Sequence, residues 1–281
     1  VLSKLALALP DRPMPEAWSA LFGGRTNMAW LGSATGLGSI VVKLYKGPAQ
    51  NPLFPNDPDA EARLLRFLAP NDIAPKLLGC FETDVGRCNV YAHIPGNIWS
   101  ENTEAVAKLM RKLHGLPPSQ GLRRIPDGAA ALRSQIDTIQ AQYGQNLPFP
   151  EALSEIAVPA NAPMVLLHGD IVPGNLIENE TGLHLIDWQC PAIGDPCEDI
   201  AVFLSPAMQS LYRGKALSQT EADAFFDGYD APAITTRYRR LAPLYHARMA
   251  TYCQWQIEHG QPAYAEGLQL ELKALQRSLS A

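Results

Sequence analysis

His168-Gly169-Asp170-Ile171-Val172-Pro173-Gly174-Asn175 and, ten residues on, Leu185-Ile186-Asp187-Trp188 place three oxygen-bearing side chains at fixed intervals. Asp170 leaves the apolar run Val165-Leu166-Leu167, Asn175 follows five residues later, and Asp187 closes the run Leu183-His184-Leu185-Ile186. The segment reads strand, loop, strand, with a polar group at each exit. An acidic residue at the end of a buried strand is costly unless a cation or hydrogen-bond donors compensate it. The three groups have separable chemistry. Asp170 can orient and deprotonate a substrate hydroxyl. Asn175 offers a neutral oxygen and Asp187 a charged one, the donor types that magnesium accepts.

That spacing is the layout of a phosphoryl-transfer loop and its metal-binding aspartate. Such chemistry asks the protein for positioning and charge neutralisation rather than covalent participation. Lys43, inside the β-branched run Ile40-Val41-Val42-Lys43-Leu44-Tyr45, can reach the phosphates of ATP. Glu61, on the helix expected from Pro58, is its candidate partner, with Glu82 as a competitor. The turn Gly23-Gly24-Arg25-Thr26-Asn27 can fold over phosphates with its backbone amides, and Gly23, Gly24, Thr26 and Asn27 are its candidate contacts. No Gly-Lys-Ser/Thr follows, so this is not a Walker A loop. His168 is read as a brace for the loop through backbone hydrogen bonds, and Asp199 as a prop from a following helix. Trp188, Tyr252, Trp255 and Glu258 are candidates for an acceptor site, since aromatic faces beside a carboxylate suit a cationic amine. An ordinary amphipathic helix accounts for the last three equally well.

Outward from these residues, the first third reads as strands plus one helix. Met28–Leu31 and Ile40–Tyr45 are expected to form a hairpin. Asp57 before Pro58 predicts an N-cap with proline at the first helical position, and Ala60, Leu64, Leu65, Phe67 and Leu68 mark that helix's buried side. Two short runs between Ala74 and Tyr91, split by a turn at Asp84-Val85-Gly86, complete a small antiparallel sheet. Ile94-Pro95-Gly96 reads as a hinge. Beyond it, helices are expected over 103–114, 129–143, 199–204, 221–229, 238–259 and 263–279. The expected organisation is therefore α+β and bilobal: residues 1–94 as a sheet-rich N-lobe that binds nucleotide phosphates, and residues 95–281 as a larger, mainly helical C-lobe with the catalytic loop and acceptor site. A cleft at the join would suit a small molecule.

The bulk numbers are permissive. The 281 residues are 47% hydrophobic and 18% charged, with a formal charge of −5 and a pI near 5.7. No excess of basic residues favours nucleic acid or an anionic membrane as partner. The five cysteines include no C-x-x-C pair, which argues against a zinc or redox motif and for reduced thiols. The apolar run Leu5 to Leu9 is too short for a secretory signal, and no segment approaches a membrane span, so a cytoplasmic protein is expected.

Taken together, the Gly23–Asn27 turn, Lys43, Glu61, the Ile94-Pro95-Gly96 hinge, Leu113-His114-Gly115-Leu116, His168-Gly169-Asp170 with Asn175, Ile186-Asp187-Trp188, Gly194-Asp195-Pro196 and Asp199-Ile200-Ala201 resemble the aminoglycoside phosphotransferase and choline kinase superfamily. The Gly-Gly-x-Thr-Asn turn leans toward its choline, ethanolamine and thiamine kinase branch. The resemblance implies a protein-kinase-like fold and an ATP- and Mg2+-dependent kinase that phosphorylates a hydroxyl of a small, amine-containing metabolite. It implies Asp170 as base, Asn175 and Asp187 as metal ligands and Lys43 on the phosphates. Backbone groups around Tyr91, His93 and Ile94 would carry adenine. An aminoglycoside phosphotransferase or a non-catalytic nucleotide-binding module are the alternatives. A protein kinase is disfavoured, because no Asp-Phe-Gly or Ala-Pro-Glu segment is present.

Overall fold

The computed structural model describes residues 17–21, 27–34, 38–46, 51–144 and 146–280. Its contacts group the chain into two compact units. The first runs to Ile98 and returns for Gly174–Pro191; the second comprises Trp99–Pro173 and Ala192–Ala281.

The chain enters as an antiparallel meander, β1 (Ala17–Leu21), β2 (Met28–Ala34) and β3 (Gly38–Leu44). Pairing Met28 with Leu44 and Ala34 with Gly38 gives the expected hairpin. Period-two alternation then sorts β3 by face. Ile40, Val42 and Leu44 point into an apolar cluster with Cys88 and Val90. Val41 and Lys43 lie on the opposite face.

Helix α1 (Pro58–Leu68) starts where the sequence predicts. The Asp57 side chain accepts from the amides of Asp59 and Ala60, and Pro58 occupies the first turn. Leu64, Leu65 and Leu68 are fully buried, each worth about 1.5–3 kcal/mol of apolar transfer. Strands β4 (Leu77–Thr83) and β5 (Gly86–Ala92) complete a five-stranded sheet in the order β1-β2-β3-β5-β4. The Asn89 side chain of β5 donates to the Pro58 carbonyl at 2.9 Å, tying α1 to the sheet.

A two-residue strand, β6 (Asn97–Ile98), ends the first passage. Gly96 just before it has φ 154°, and a Cβ there would lie 2.4 Å from the Glu178 carbonyl oxygen, so only glycine fits.

The next passage is mostly helical. Asn102 caps α2 (Thr103–His114), whose ends match the sequence reading. After β7 (Arg123–Arg124) comes α3 (Gly128–Gln140). It stops before the predicted Tyr143 because the amides of Gln142 and Tyr143 bond three residues back, to Ile139 and Gln140. Strand β8 (Val165–Leu167) delivers the loop that carries Asp170. A single 3-10 turn, Pro173–Asn175, leads back to the first unit as the hairpin β9 (Leu176–Asn179) and β10 (Gly182–Leu185).

There β9 pairs with β6, Ile98 opposite Ile177, in a three-stranded sheet. Segment 174–191 therefore packs with the N-terminal sheet region, a grouping that a single division at 94/95 does not express.

The last passage begins with β11 (Ala192–Gly194), which lies between β7 and β8. Helix α4 (Cys197–Leu204) starts two residues before the reading, because the Asp195 carboxylate takes the Cys197 amide at 2.9 Å. Helix α5 (Pro206–Arg213) was not predicted. It is capped by Ser205, whose hydroxyl accepts from the Met208 amide.

Helix α6 (Gln219–Tyr229) opens with a full capping box between Ser218 and Glu221. The 27-residue α7 (Pro232–Glu258) begins six residues before the predicted Tyr238, where polar Thr235, Thr236 and Arg237 mask the apolar period, and runs through Pro243. Helix α8 (Ala265–Leu279) closes the chain. Buried Glu271 of α8 accepts from the Ser205 hydroxyl and the Ala207 amide and meets His246 Nδ1 at 2.7 Å, so one carboxylate binds three helices.

Candidate functional site

In the first unit, Lys43 stands at the centre of the candidate set. β3 is an inner strand, so its side chain has nowhere to go but against α1 and β10's exit. Lys43 is 3% exposed. Its Nζ lies 3.2 Å from Glu61 Oε2 and donates to Asp187 Oδ1. Burial opposes its charge, but Asp187 and then Glu61 more than offset that cost and hold the ammonium above the ordinary lysine range. Burial pushes the Glu61 carboxyl up, with Lys43 pulling against it. Glu61 is thus the partner; Glu82 instead accepts from Arg87 on the outside of the sheet.

Asp187 has φ 63°, a left-handed backbone that aspartate tolerates better than most residues. Its carboxylate keeps partial exposure, with 27% of the side chain accessible. Asn175 is buried, and its carbonyl accepts the Ile186 amide at 3.0 Å, which locks the residue preceding Asp187 to Asn175. An amide oxygen and a partly exposed carboxylate are both hard oxygen donors. Magnesium binds through one or two such protein groups and keeps water or phosphate elsewhere. The donor types of these residues therefore fit magnesium, which they would hold together with water or phosphate. They do not form a self-sufficient cage: among the described residues no cluster of three or more His, Cys, Asp or Glu side chains could hold a metal alone.

Of the predicted turn, Gly23, Gly24 and Thr26 lie outside the described residues, and Asn27 lies within them. The Asn27 side-chain amide donates to Gln189 Oε1 at 2.7 Å and exchanges two 2.9 Å bonds with Asn56. The Asp57 amide also donates to the Gln189 carbonyl. An amide ladder thus joins the end of the turn to the segment just past Asp187. Nothing in the sequence marked Asn56 or Gln189 for this role.

Tyr91 is buried on the Lys43 face. Burial raises its hydroxyl's pKa, opposed by Lys43. The His93 amide donates to the Ser39 carbonyl, and half-buried Ile94 follows it. Burial lowers the His93 imidazole pKa. Trp188 is fully buried, with its indole N–H donated to the Leu185 carbonyl.

In the second unit, Asp170 is half-buried on the loop after β8. Its amide donates to His168 Nδ1 at 3.2 Å, the bracing role read for that histidine. The amides of His168 and Gly169 donate to the two Asp199 oxygens at 2.9 and 2.8 Å. Gly169 reaches this geometry with φ 83°, a conformation glycine adopts freely. Asp199 is fully buried on α4. Burial disfavours its charge, yet hydrogen bonding to His114 and the loop amide leaves the carboxyl below its ordinary value. The sequence reading found Asp199 but assigned no role to His114 or Tyr229, which complete its surroundings.

On α7, Tyr252 and Trp255 stack with centroids 6.1 Å apart, and Trp255 stacks on His259 at 4.0 Å. Trp255 is buried, and its Nε1 has no hydrogen-bond partner among the described residues. Glu258 is exposed and accepts from Gln254. All five cysteines are free thiols. No helix among the described residues is long and apolar enough to cross a membrane.

Comparison with known proteins adds the following. Residues 18–244 match the phosphotransferase enzyme family. No curated protein matches the sequence. Among solved structures, a choline/ethanolamine kinase family protein from Mesorhizobium loti superposes with TM-score 0.69 at 16% identity, covering 99% of this chain and 96% of its own. The GDP complex of aminoglycoside 2'-phosphotransferase-IIIa gives 0.67 at 17% identity, covering 98% and 97%. An ethanolamine kinase from Plasmodium vivax gives 0.63 at 16% identity, covering 92% and 82%. The α+β kinase-like fold expected of the sequence is thereby established.

Proposed function

Because this chain belongs to the phosphotransferase enzyme family, we propose that it transfers the γ-phosphoryl group of ATP to a hydroxyl of a small, amine-containing metabolite of the choline, ethanolamine or thiamine type. The observation that carries the proposal is Lys43, a buried strand cation held between Glu61 and Asp187. A lysine kept charged and dry beside a carboxylate suits the charge of a bound triphosphate. In this reading Asp170 accepts the acceptor's hydroxyl proton, the freed oxygen attacks the γ-phosphorus, and ADP departs. His168 and Asp199 hold the loop that aims Asp170. Asn175 and Asp187 would hold magnesium, which when bound supplies neutralisation of the phosphate oxygens. Tyr91, His93 and Ile94 are assigned to the base of the nucleotide.

The acceptor is assigned to the α7 residues. The stacked Tyr252 and Trp255 rings offer aromatic faces for a cation, the unpartnered Trp255 N–H offers a donor, and Glu258 offers a counter-charge. Trp188 contributes by packing, since its indole N–H is already engaged. An aminoglycoside acceptor is the second reading, favoured by the likeness to aminoglycoside 2'-phosphotransferase-IIIa; that protein's GDP complex also makes GTP the donor to compare with ATP.

The test is nucleoside diphosphate release with ATP or GTP over a panel of choline, ethanolamine, thiamine and aminoglycosides. We expect one acceptor class to stimulate turnover, and Asp170→Ala to lower kcat by about 100-fold or more, the usual weight of a general base. Turnover undiminished in Asp170→Ala would defeat the mechanism.

A further inference from the structure

We propose that Asn27, Asn56 and Gln189 are positioning residues for nucleotide binding: their side-chain amides form a neutral clasp that keeps Lys43 and Asp187 in register while the ion pairs between them are exchanged for the ligand. The proposal rests on the functional reading above, which supplies a triphosphate as that ligand.

The clasp lies wholly within the first unit. A side-chain amide has two N–H donors and one carbonyl acceptor. Asn27 Nδ2 gives one hydrogen to Asn56 Oδ1 at 2.9 Å and the other to Gln189 Oε1 at 2.7 Å, and Asn27 Oδ1 accepts from Asn56 Nδ2 at 2.9 Å. Both Asn27 donors are thereby spent, so none is left for a phosphate oxygen. Gln189 is 6% exposed and is held a second time through its backbone carbonyl, which accepts the Asp57 amide at 2.9 Å.

The three amides sit on the same segments as the ionic cluster. Asn27 precedes β2, whose Ala29 pairs with Lys43 of β3. Asn56 precedes Asp57, the cap of α1, and α1 carries Glu61. Gln189 follows Asp187 by two residues. These segments are therefore tied twice, once by Lys43 with Glu61 and Asp187 and once by the amides. The two ties differ in charge, and that decides their roles. A triphosphate competes for the Lys43 ammonium, and magnesium for the Asp187 carboxylate, so ligand binding loosens the ionic tie. The amides carry no charge for either to capture. They keep the strand of Lys43 and the exit of Asp187 at their spacing after the charges have turned to the ligand, so binding does not have to order them afresh.

The test measures dissociation constants on the intact chain by titration calorimetry. The probes are the β,γ-imido analogue of ATP or GTP with Mg2+, and the bare nucleoside. We expect Gln189→Leu and Asn27→Ala each to weaken the triphosphate analogue by about 10-fold, the usual weight of groups that orient metal and phosphate ligands from behind, with nucleoside affinity held within about twofold of wild type. The double variant binds no worse than Asn27→Ala alone, because both substitutions remove the same bond. Gln189→Glu keeps an oxygen for the Asn27 N–H and regains most of what leucine loses.

Undiminished triphosphate affinity in Gln189→Leu overturns the proposal; paired with a loss in Asn27→Ala, it makes Asn27 a phosphate contact in its own right. Losses that multiply in the double variant overturn it by showing separate roles. An equal loss of nucleoside affinity overturns it by showing a general loosening of the unit, and a glutamate variant no better than leucine does so too. Should Gln189→Leu fail to fold, Asn56→Ala takes its place beside Asn27→Ala, and its wild-type triphosphate affinity would overturn the clasp. Wild-type protein that binds no triphosphate defeats the functional reading and this inference together, whereas wild-type binding that the variants leave intact defeats this inference alone.

Discussion

Lys43→Met is the substitution whose consequences the structure specifies most fully. It removes the cation between Glu61, which is 1% exposed, and Asp187, while filling most of the lysine's volume. Asp187 keeps partial access to water and can be rehydrated; Glu61 cannot. Removing one partner of a buried ion pair costs about 3–5 kcal/mol because the other charge is stranded. At roughly 2–4 °C per kcal/mol for chains of this size class, the melting midpoint falls by about 6–20 °C.

The loss depends on pH in a definite direction. Burial already raises Glu61 from its ordinary 4.5, and without Lys43 it rises further. A carboxyl whose folded pKa is raised destabilises the fold progressively as pH climbs from the unfolded value to the folded one. The slope is about 1.4 kcal/mol per pH unit, so the penalty grows by up to about 2.7 kcal/mol between pH 5 and 7. Urea unfolding of wild type and variant at both pH values measures it. Adding Glu61→Gln removes the stranded charge, so the double variant regains much of the lost stability at pH 7 and little at pH 5. A penalty equal at the two pH values, or larger at pH 5, would refute the electrostatic account of this cluster.

Two further outcomes are expected. Glu221 is held at about 2, below its ordinary 4.5, chiefly by its hydrogen bond to Arg213; a group so lowered stabilises above 4.5 and loses its contribution as pH falls toward 2. Thermal melts should show a gap between wild type and Glu221→Gln at pH 6 that closes between pH 4.5 and 2. Gly228 on α6 faces α2, where a Cβ would come within 2.7 Å of Glu104 Cγ and 2.8 Å of its carbonyl oxygen. Gly228→Ala should destabilise, because overpacking at about 1–3 kcal/mol exceeds the helix-propensity gain of up to about 1 kcal/mol. A variant more stable than wild type in urea would show that α2 can yield.

The sequence was most legible where local chemistry and tertiary demand coincide. Asp57-Pro58 announces α1, the β-branched run announces β3, and α2 has the ends its pattern predicts. Lys43 and Glu61 were paired correctly because only one helix follows that strand closely. What escaped detection was short or non-local. β1 has a mostly exposed face and pairs its Trp18 with Gly32, so no alternation marks it. The sheet of β7, β11 and β8 uses strands of two or three residues drawn from three parts of the chain. The Ser205-Pro206 start of α5 carries the same signature as Asp57-Pro58 and could have been read. His114, Asp199 and Tyr229 are 85 and 115 residues apart along their two bonds, so no spacing rule would join them.

The chain leaves its first unit after Ile98, comes back at Gly174 and departs again after Pro191. A polypeptide emerging from the ribosome therefore presents strand β6 long before the hairpin that pairs with it exists. Lys43 must wait for most of the protein to be synthesised before Asp187 arrives, so this unit matures late. A gene cut between codons 98 and 99 would yield an N-terminal fragment in which Lys43 keeps Glu61 but lacks Asp187, and β6 lacks its partner β9, rather than a self-sufficient module.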